Sequence, residues 1–174
     1  HLIVDRIIRK GIESANRKVI GLSFTNQAAI TLRNKLNFKI FGKDLSEIQN
    51  NIFIGTIHSF AFKTLKSFHI DFLKTEYDYE IIDDEEYNEI KREFSNNRAQ
   101  ITSYLDTNRL LTFKKILKEF LDFLKNDKKF QEFMSNSISE IVIDEAQDLD
   151  VTQYEIFFEL FSRSSTMKLF LVGD

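Results

Sequence analysis

At 174 residues, 43% hydrophobic and 29% charged, the chain is sized for one core, and no apolar stretch approaches bilayer length. Cysteine is absent and the N-terminus is not a signal peptide, which excludes disulfides and thiolate metal sites and gives a cytoplasmic, membrane-free expectation. A net charge of −3 excludes a generally basic nucleic-acid binder but leaves room for a local basic groove.

Leu2 to Ile12 carries apolar residues at 3, 4, 7, 8 and 12, the period of a helix. No start signal precedes it, so the chain is expected to begin inside a helix of a longer protein. Val19 to Phe24 predicts a buried strand, after which Thr25 and Asn26 offer N-caps for a helix through Leu36. Ile52-Phe53-Ile54 predicts another strand, Gly55-Thr56 follow it, and a helix runs from about Ile57 to Phe68.

From Ile70 to Ser139 the character changes. Glu80 to Asp83 suggests a short strand, and Asp84 opens a helix with Tyr87, Ile90 and Phe94 on one face. The polar stretch Asn96 to Asn108 reads as a loop and a boundary, Leu110 to Leu124 as an amphipathic helix, and a short helix follows to Met134. The acidic run Glu76 to Glu93 is most simply a solvated face.

Ile141-Val142-Ile143 is a β-branched run suited to a strand buried on both faces of a parallel sheet, and Asp144 and Glu145 stand where it ends. Ligands of open α/β sheets bind beyond the carboxyl ends of the strands. An Asp there can hold Mg²⁺, and a Glu beside it can orient a water toward a γ-phosphate. A core strand followed by a solvated turn or a helix N-cap is the plainer alternative. Asp150 then caps a helix to about Phe161, with Gln153 completing a capping box, and Lys168 to Asp174 is a last strand.

Three further strings each follow a predicted strand: Ser23-Phe24-Thr25-Asn26-Gln27-Ala28-Ala29, Gly55-Thr56-Ile57-His58-Ser59-Phe60 and Leu171-Val172-Gly173-Asp174. All should open onto the same edge as Asp144 and Glu145. Hydroxyls and amides at helix N-termini bind phosphates, and an aromatic such as Phe24 can stack on an unpaired base. Taken singly, Phe24 could instead be core, Thr25, Asn26, Thr56 and Ser59 caps, and His58 a turn residue.

Taken together and in order, these strings resemble the UvrD/Rep family of superfamily 1 DNA helicases. Phe-Thr-Asn-x-Ala-Ala resembles motif Ia, Gly-Thr-x-His-Ser motif Ib, Asp-Glu-Ala-Gln-Asp motif II with its Walker B strand, and Val-Gly-Asp the start of motif III. The resemblance implies a parallel RecA-like (P-loop NTPase) sheet flanked by helices, with residues 1–69 and 140–174 as its two parts and 70–139 as a helical insertion subdomain. It implies that Asp144 holds Mg²⁺, that Glu145 activates water, that Gln147 senses the γ-phosphate, and that Asp174 joins Asp144 and Gln147 at the ATP site. Phe24, Thr25, Asn26, Thr56, His58 and Ser59 would lie along single-stranded DNA. Gln27 departs from the Lys common at its position. No G-x-x-x-x-G-K-[ST] occurs, since Gly42-Lys43-Asp44 lacks the earlier glycine and the hydroxyl. His1 would stand just after a lost phosphate loop, or be a tag remnant. The expectation is therefore a truncated first motor domain, inactive alone, whose second RecA-like domain lies elsewhere in the parent. A RecA-like binding or regulatory module without motor activity is the alternative.

Overall fold

The computed structural model describes residues 2–14, 16–41 and 50–173. The chain forms two compact units, residues 1–60 with 121–174, and residues 61–120.

In the first unit, β1 (Lys18–Leu22), β2 (Ile52–Gly55), β5 (Ile138–Ile143) and β6 (Lys168–Leu171) make one sheet in the order β2-β1-β5-β6. Every neighbouring pair is parallel, with Leu22 opposite Gly55 on one side and Ile143 on the other, and Ile143 opposite Leu171. The β-branched content of β1 and β5 suits strands covered on both faces, and both are almost wholly buried. Because all four strands run the same way, their C-terminal ends share an edge, as the sequence pattern predicts.

Helices flank this sheet. α1 (Leu2–Glu13) buries Val4 and Ile7 in a cluster with Val19, Leu32, Leu36, Ile40, Ile54 and Val142. α2 (Asn26–Ile40) is capped by Thr25, whose hydroxyl accepts from the Ala28 amide at 3.1 Å, so Asn26 is the first helical residue and not the cap. α7 (Lys128–Ser137) packs on β5 and on α8 (Val151–Ser162). The expected capping box of α8 is half made. Asp150 accepts from the Gln153 amide at 2.8 Å, but Gln153 Oε1 has no partner among the described residues.

The chain passes into the second unit within α3 (Ile57–Phe68) and leaves it within α6 (Phe113–Asn126). Here β3 (Glu80–Ile82) pairs in parallel with β4 (Leu110–Thr112). α4 (Asp84–Glu93) has a reciprocal capping box, Asp83 with Glu86. Two expectations are corrected in this unit. Residues 98–107 form a helix, α5 (Arg98–Thr107), where a loop was expected. Asn97 caps it through the amides of Ala99 and Gln100, and Ile101 and Leu105 bury against Ile82. The run from Leu110 also begins as strand, and becomes helical only at Phe113.

Candidate functional site

A relay of backbone hydrogen bonds crosses the C-terminal edge of the sheet. The Ser23 amide donates to Gly55 O at 3.0 Å, Asp144 to Leu22 O at 2.9 Å, Val172 to Ile143 O at 2.9 Å, and Ala146 to Val172 O at 2.9 Å. Each bond starts from the segment leaving β1, β5 or β6, so these three segments are held side by side, next to the end of β2.

Asp144 is half-buried where β5 stops. Burial raises its carboxyl above the ordinary aspartate value, and the Glu145 charge adds to the effect; the Glu145 backbone N–H and the Lys35 cation oppose it. Glu145 is exposed and left-handed, φ 56° and ψ 47°, at the head of a 3₁₀ turn, Ala146–Asp148. Gln147 Nε2 donates to Glu145 Oε2 at 2.6 Å. Gly173 lies against that glutamine so closely that an added Cβ would sit 2.1 Å from Gln147 Oε1. A side chain at 173 would therefore displace the residue that holds Glu145.

Phe24 is 47% exposed beyond the end of β1, so it is not the last core residue of its strand. It lines a small crevice with Ser23, Asp144, Glu145 and Gln153, which brings it together with the carboxylates. Thr25, Asn26, Thr56, His58 and Ser59 do not line that crevice. Thr25 and Asn26 are exposed at the start of α2. Thr56 is 8% exposed and caps α3, its hydroxyl accepting from the Ser59 amide at 3.3 Å while Ser59 Oγ donates back to Thr56 O at 2.8 Å. His58 is half-buried on the first turn of α3. Asp174 lies outside the described residues.

Residues 1–103 and 84–174 match the family described as UvrD/REP helicase N-terminal domain. The chain belongs to this family. It is also similar to the RecBCD enzyme subunit RecB of Buchnera aphidicola subsp. Acyrthosiphon pisum (strain APS), 35% identical over 65 residues, which is 37% of this chain and 6% of that protein. The RecB subunit from B. aphidicola subsp. Schizaphis graminum (strain Sg) is 38% identical over 65 residues, 37% of this chain and 5% of the relative. The matched stretch is thus a small part of these relatives' length.

Membership in the UvrD/REP helicases implies ATP and Mg²⁺ in the intact enzyme. Among the described residues, no group of three or more His, Cys, Asp or Glu side chains is arranged to hold a metal ion. Mg²⁺ is usually held by one or two carboxylates together with substrate phosphates and water. Asp144, with Glu145 next to it, has the chemistry of such a donor set. No described helix is long and apolar enough to cross a membrane.

Sequence reasoning missed Ser23 and Gln153 as parts of this crevice. Gln153 shares the helical stripe of Ile156, Phe157 and Leu160, all buried. A polar residue on a buried stripe was the available signal.

In the second unit, a groove is lined by Lys91, Arg98, Lys114, Lys115 and Lys118, with Asp84 among them. Lys91 lies over the Tyr87 ring at 4.9 Å, and Lys115 pairs with Asp106 at 2.8 Å. Cations thus outnumber carboxylates here, on a chain whose net charge is −3.

Proposed function

We propose that the parent of this chain is an ATP-dependent DNA helicase or translocase that couples ATP hydrolysis to movement on single-stranded DNA. The observation that carries the reading is the shared crevice, in which Phe24 meets Asp144 and Glu145 at one sheet edge. A residue able to stack on a base and a carboxylate pair suited to phosphate chemistry are then neighbours.

In this reading Asp144 holds Mg²⁺, with Gln147 and Asp174 beside the nucleotide. Bound there, Mg²⁺ would neutralise charge on the phosphate oxygens. Glu145 orients the attacking water, and Gln147 holds one oxygen of its carboxylate, so a γ-phosphate contact at Gln147 would be felt by Glu145 directly. Phe24 stacks on a base, while Thr25, Asn26, Thr56, His58 and Ser59 serve the strand through hydroxyl, amide and imidazole groups. The basic groove of the second unit adds sequence-independent contact to the nucleic-acid backbone. An insertion subdomain, carried by the second unit at residues 61–120, lies between the two parts of the RecA-like core, and a second RecA-like domain of the parent is the partner. The 174-residue chain, having no phosphate loop, is inactive alone. ATPase assays with and without single-stranded DNA, on the parent and on this chain, test the reading. DNA-stimulated turnover by the 174-residue chain, or none by the parent, would contradict it.

A further inference from the structure

Gly173 stands just after β6, yet its backbone does not call for glycine. Its φ lies outside the left-handed region, so an alanine there would carry no strain of that kind. Close approach is the remaining reason for it. A Cβ built at 173 would lie 2.1 Å from Gln147 Oε1 and 3.3 Å from Gln147 Cδ, where the glutamine amide already sits. The Ala146 backbone nitrogen is 3.2 Å from the same point, a contact that a small shift relieves. The approach that glycine makes possible is therefore the one to Gln147.

The other end of the same amide is on Glu145. An ionised carboxylate only accepts hydrogen bonds, so Nε2 faces it, at 2.6 Å, and Oε1 is turned to Gly173. Glu145 and Gln147 are both exposed. Two exposed side chains give up rotamer freedom to hold one hydrogen bond, and water competes for both ends. A wall behind the amide removes part of that freedom before the bond is made. Here the wall is backbone, which does not swing away as a side chain would. The Ala146 amide donates to Val172 O at 2.9 Å and so ties the 3₁₀ turn to the residue before Gly173.

We propose that Gly173 is a positioning residue for the hydrolytic step. Its bare Cα seats the Gln147 amide, and the seated amide fixes one oxygen of the Glu145 carboxylate, leaving the other to meet water. Gly173 itself touches neither nucleotide nor water and acts only through Gln147. The segment after β6 thereby sets the aim of a side chain that follows β5. The hydrolytic step rests on the function proposed above, but the seat does not.

The seat is tested first on the 174-residue chain, without nucleotide or DNA. In NMR spectra of its glutamine side-chain amides, one Gln147 Nε2 proton should lie downfield of the others, as a short bond to a carboxylate requires. That shift should vanish in Glu145→Ala, which removes the acceptor, and in Gly173→Ala, which fills the seat. A Gly173→Ala chain that keeps the shift would overturn the proposal. Thermal melts of Gly173→Ala in two backgrounds separate the seat from general crowding. Combined with Gln147→Ala, which empties the seat, the added Cβ should cost less Tm than it does alone. An equal cost in both backgrounds would place the crowding at Ala146 and overturn the proposal as well. In the parent, Gly173→Ala and Gln147→Ala should each lower kcat for ATP by about 10²-fold with KM little changed. The double variant should be no slower than the worse single, and additive losses would contradict the seat. A parent that hydrolyses no ATP would remove the motor reading and leave the spectra and melts of the chain to decide the seat.

Discussion

Gln147 Nε2 donates to Glu145 Oε2 across 2.6 Å, and Glu145 itself holds a left-handed backbone, φ 56° and ψ 47°. A non-glycine residue in that region costs about 1–2 kcal/mol. The strain sits on the residue whose carboxylate carries the proposed base role, at the point where β5 gives way to the 3₁₀ turn. Glycine would adopt this backbone without strain but would remove the carboxylate.

Two substitutions at 145 should therefore diverge. Glu145→Gly in the 174-residue chain should raise Tm by about 2–4 °C, the effect of relieving roughly 1 kcal/mol in a chain of this size. Glu145→Gln in the parent keeps shape and loses the base. Nucleotide should still bind while hydrolysis falls by about 10²–10⁴-fold. Calorimetry on the chain and single-turnover ATPase on the parent check the pair, and full turnover in Glu145→Gln would remove Glu145 from its proposed role.

A second prediction concerns α1 and β5. Arg6 pairs with Glu140, which is 1% exposed, and the Arg6 guanidinium lies 3.9 Å from the Phe170 ring centroid on β6. Arg6→Ala leaves a buried carboxylate without its cation and should cost about 3–5 kcal/mol. Arg6→Met combined with Glu140→Leu removes both charges and should recover most of that loss. Urea unfolding of the single and double variants decides it. Equal destabilisation by both would show that packing, and not charge burial, holds α1 here.

How far the chain was legible follows from range. β1, β2, β5 and β6 are short apolar runs with punctuation at their ends, and α2 announces itself by Thr25. The placement of Phe24, Asp144 and Glu145 at one sheet edge was legible for the same reason, since each follows a strand that its own neighbours define. α5 was not, because its stripe is short (Ile101, Tyr104, Leu105) and set in polar residues, and its burial depends on Ile82 from a distant strand. β4 was hidden because Leu110–Thr112 is strand only by pairing with Glu80–Ile82, and no local pattern encodes that partner. Ser23 and Gln153 are likewise brought to one crevice from the segment after β1 and from α8, a relation that neither segment expresses alone.

In the second unit, stability should depend on His69. Its ring lies 4.6 Å from that of Tyr77, its Nδ1 is 2.9 Å from Thr75 Oγ1, and its Nε2 is 3.7 Å from Glu119. Burial lowers its pKa below the ordinary 6.5, so the folded state binds fewer protons than the unfolded one between the two values. The contribution is therefore full above about pH 6.5 and is lost as the pH falls through the folded value. Melts of His69→Gln between pH 5 and 7 should show a flatter acid limb than the unmodified chain. An unchanged limb would assign the acid sensitivity elsewhere.

The basic groove makes a salt prediction. Lys114 and Lys118 are one helical turn apart on α6, both exposed, and each neutralised phosphate contributes about −0.9 to the slope of log K against log salt on duplex DNA. Changing both to glutamine should flatten the slope by up to about 2 and weaken binding equally across sequences. Titrations at several salt concentrations read it, and an unaltered slope would take the groove out of the DNA interface.

Phe24 separates the two accounts of the sheet edge. It is 47% exposed, so truncation should not incur the roughly 3–5 kcal/mol typical of a buried phenylalanine. Phe24→Ala should leave Tm within a few degrees of the unmodified chain. If its ring stacks on a base, single-strand affinity of the parent should weaken by about 1–3 kcal/mol, and DNA stimulation of the ATPase should weaken with it. Basal hydrolysis should stay, because Asp144 and Glu145 are untouched. His58→Ala should shift DNA affinity in the same direction by less, since it removes no stacking face of comparable size. Melts and single-strand titrations on the same Phe24→Ala protein give the answer together. A large fall in Tm with unchanged affinity per folded molecule would make Phe24 a packing residue of the crevice and leave the strand to be held by other groups.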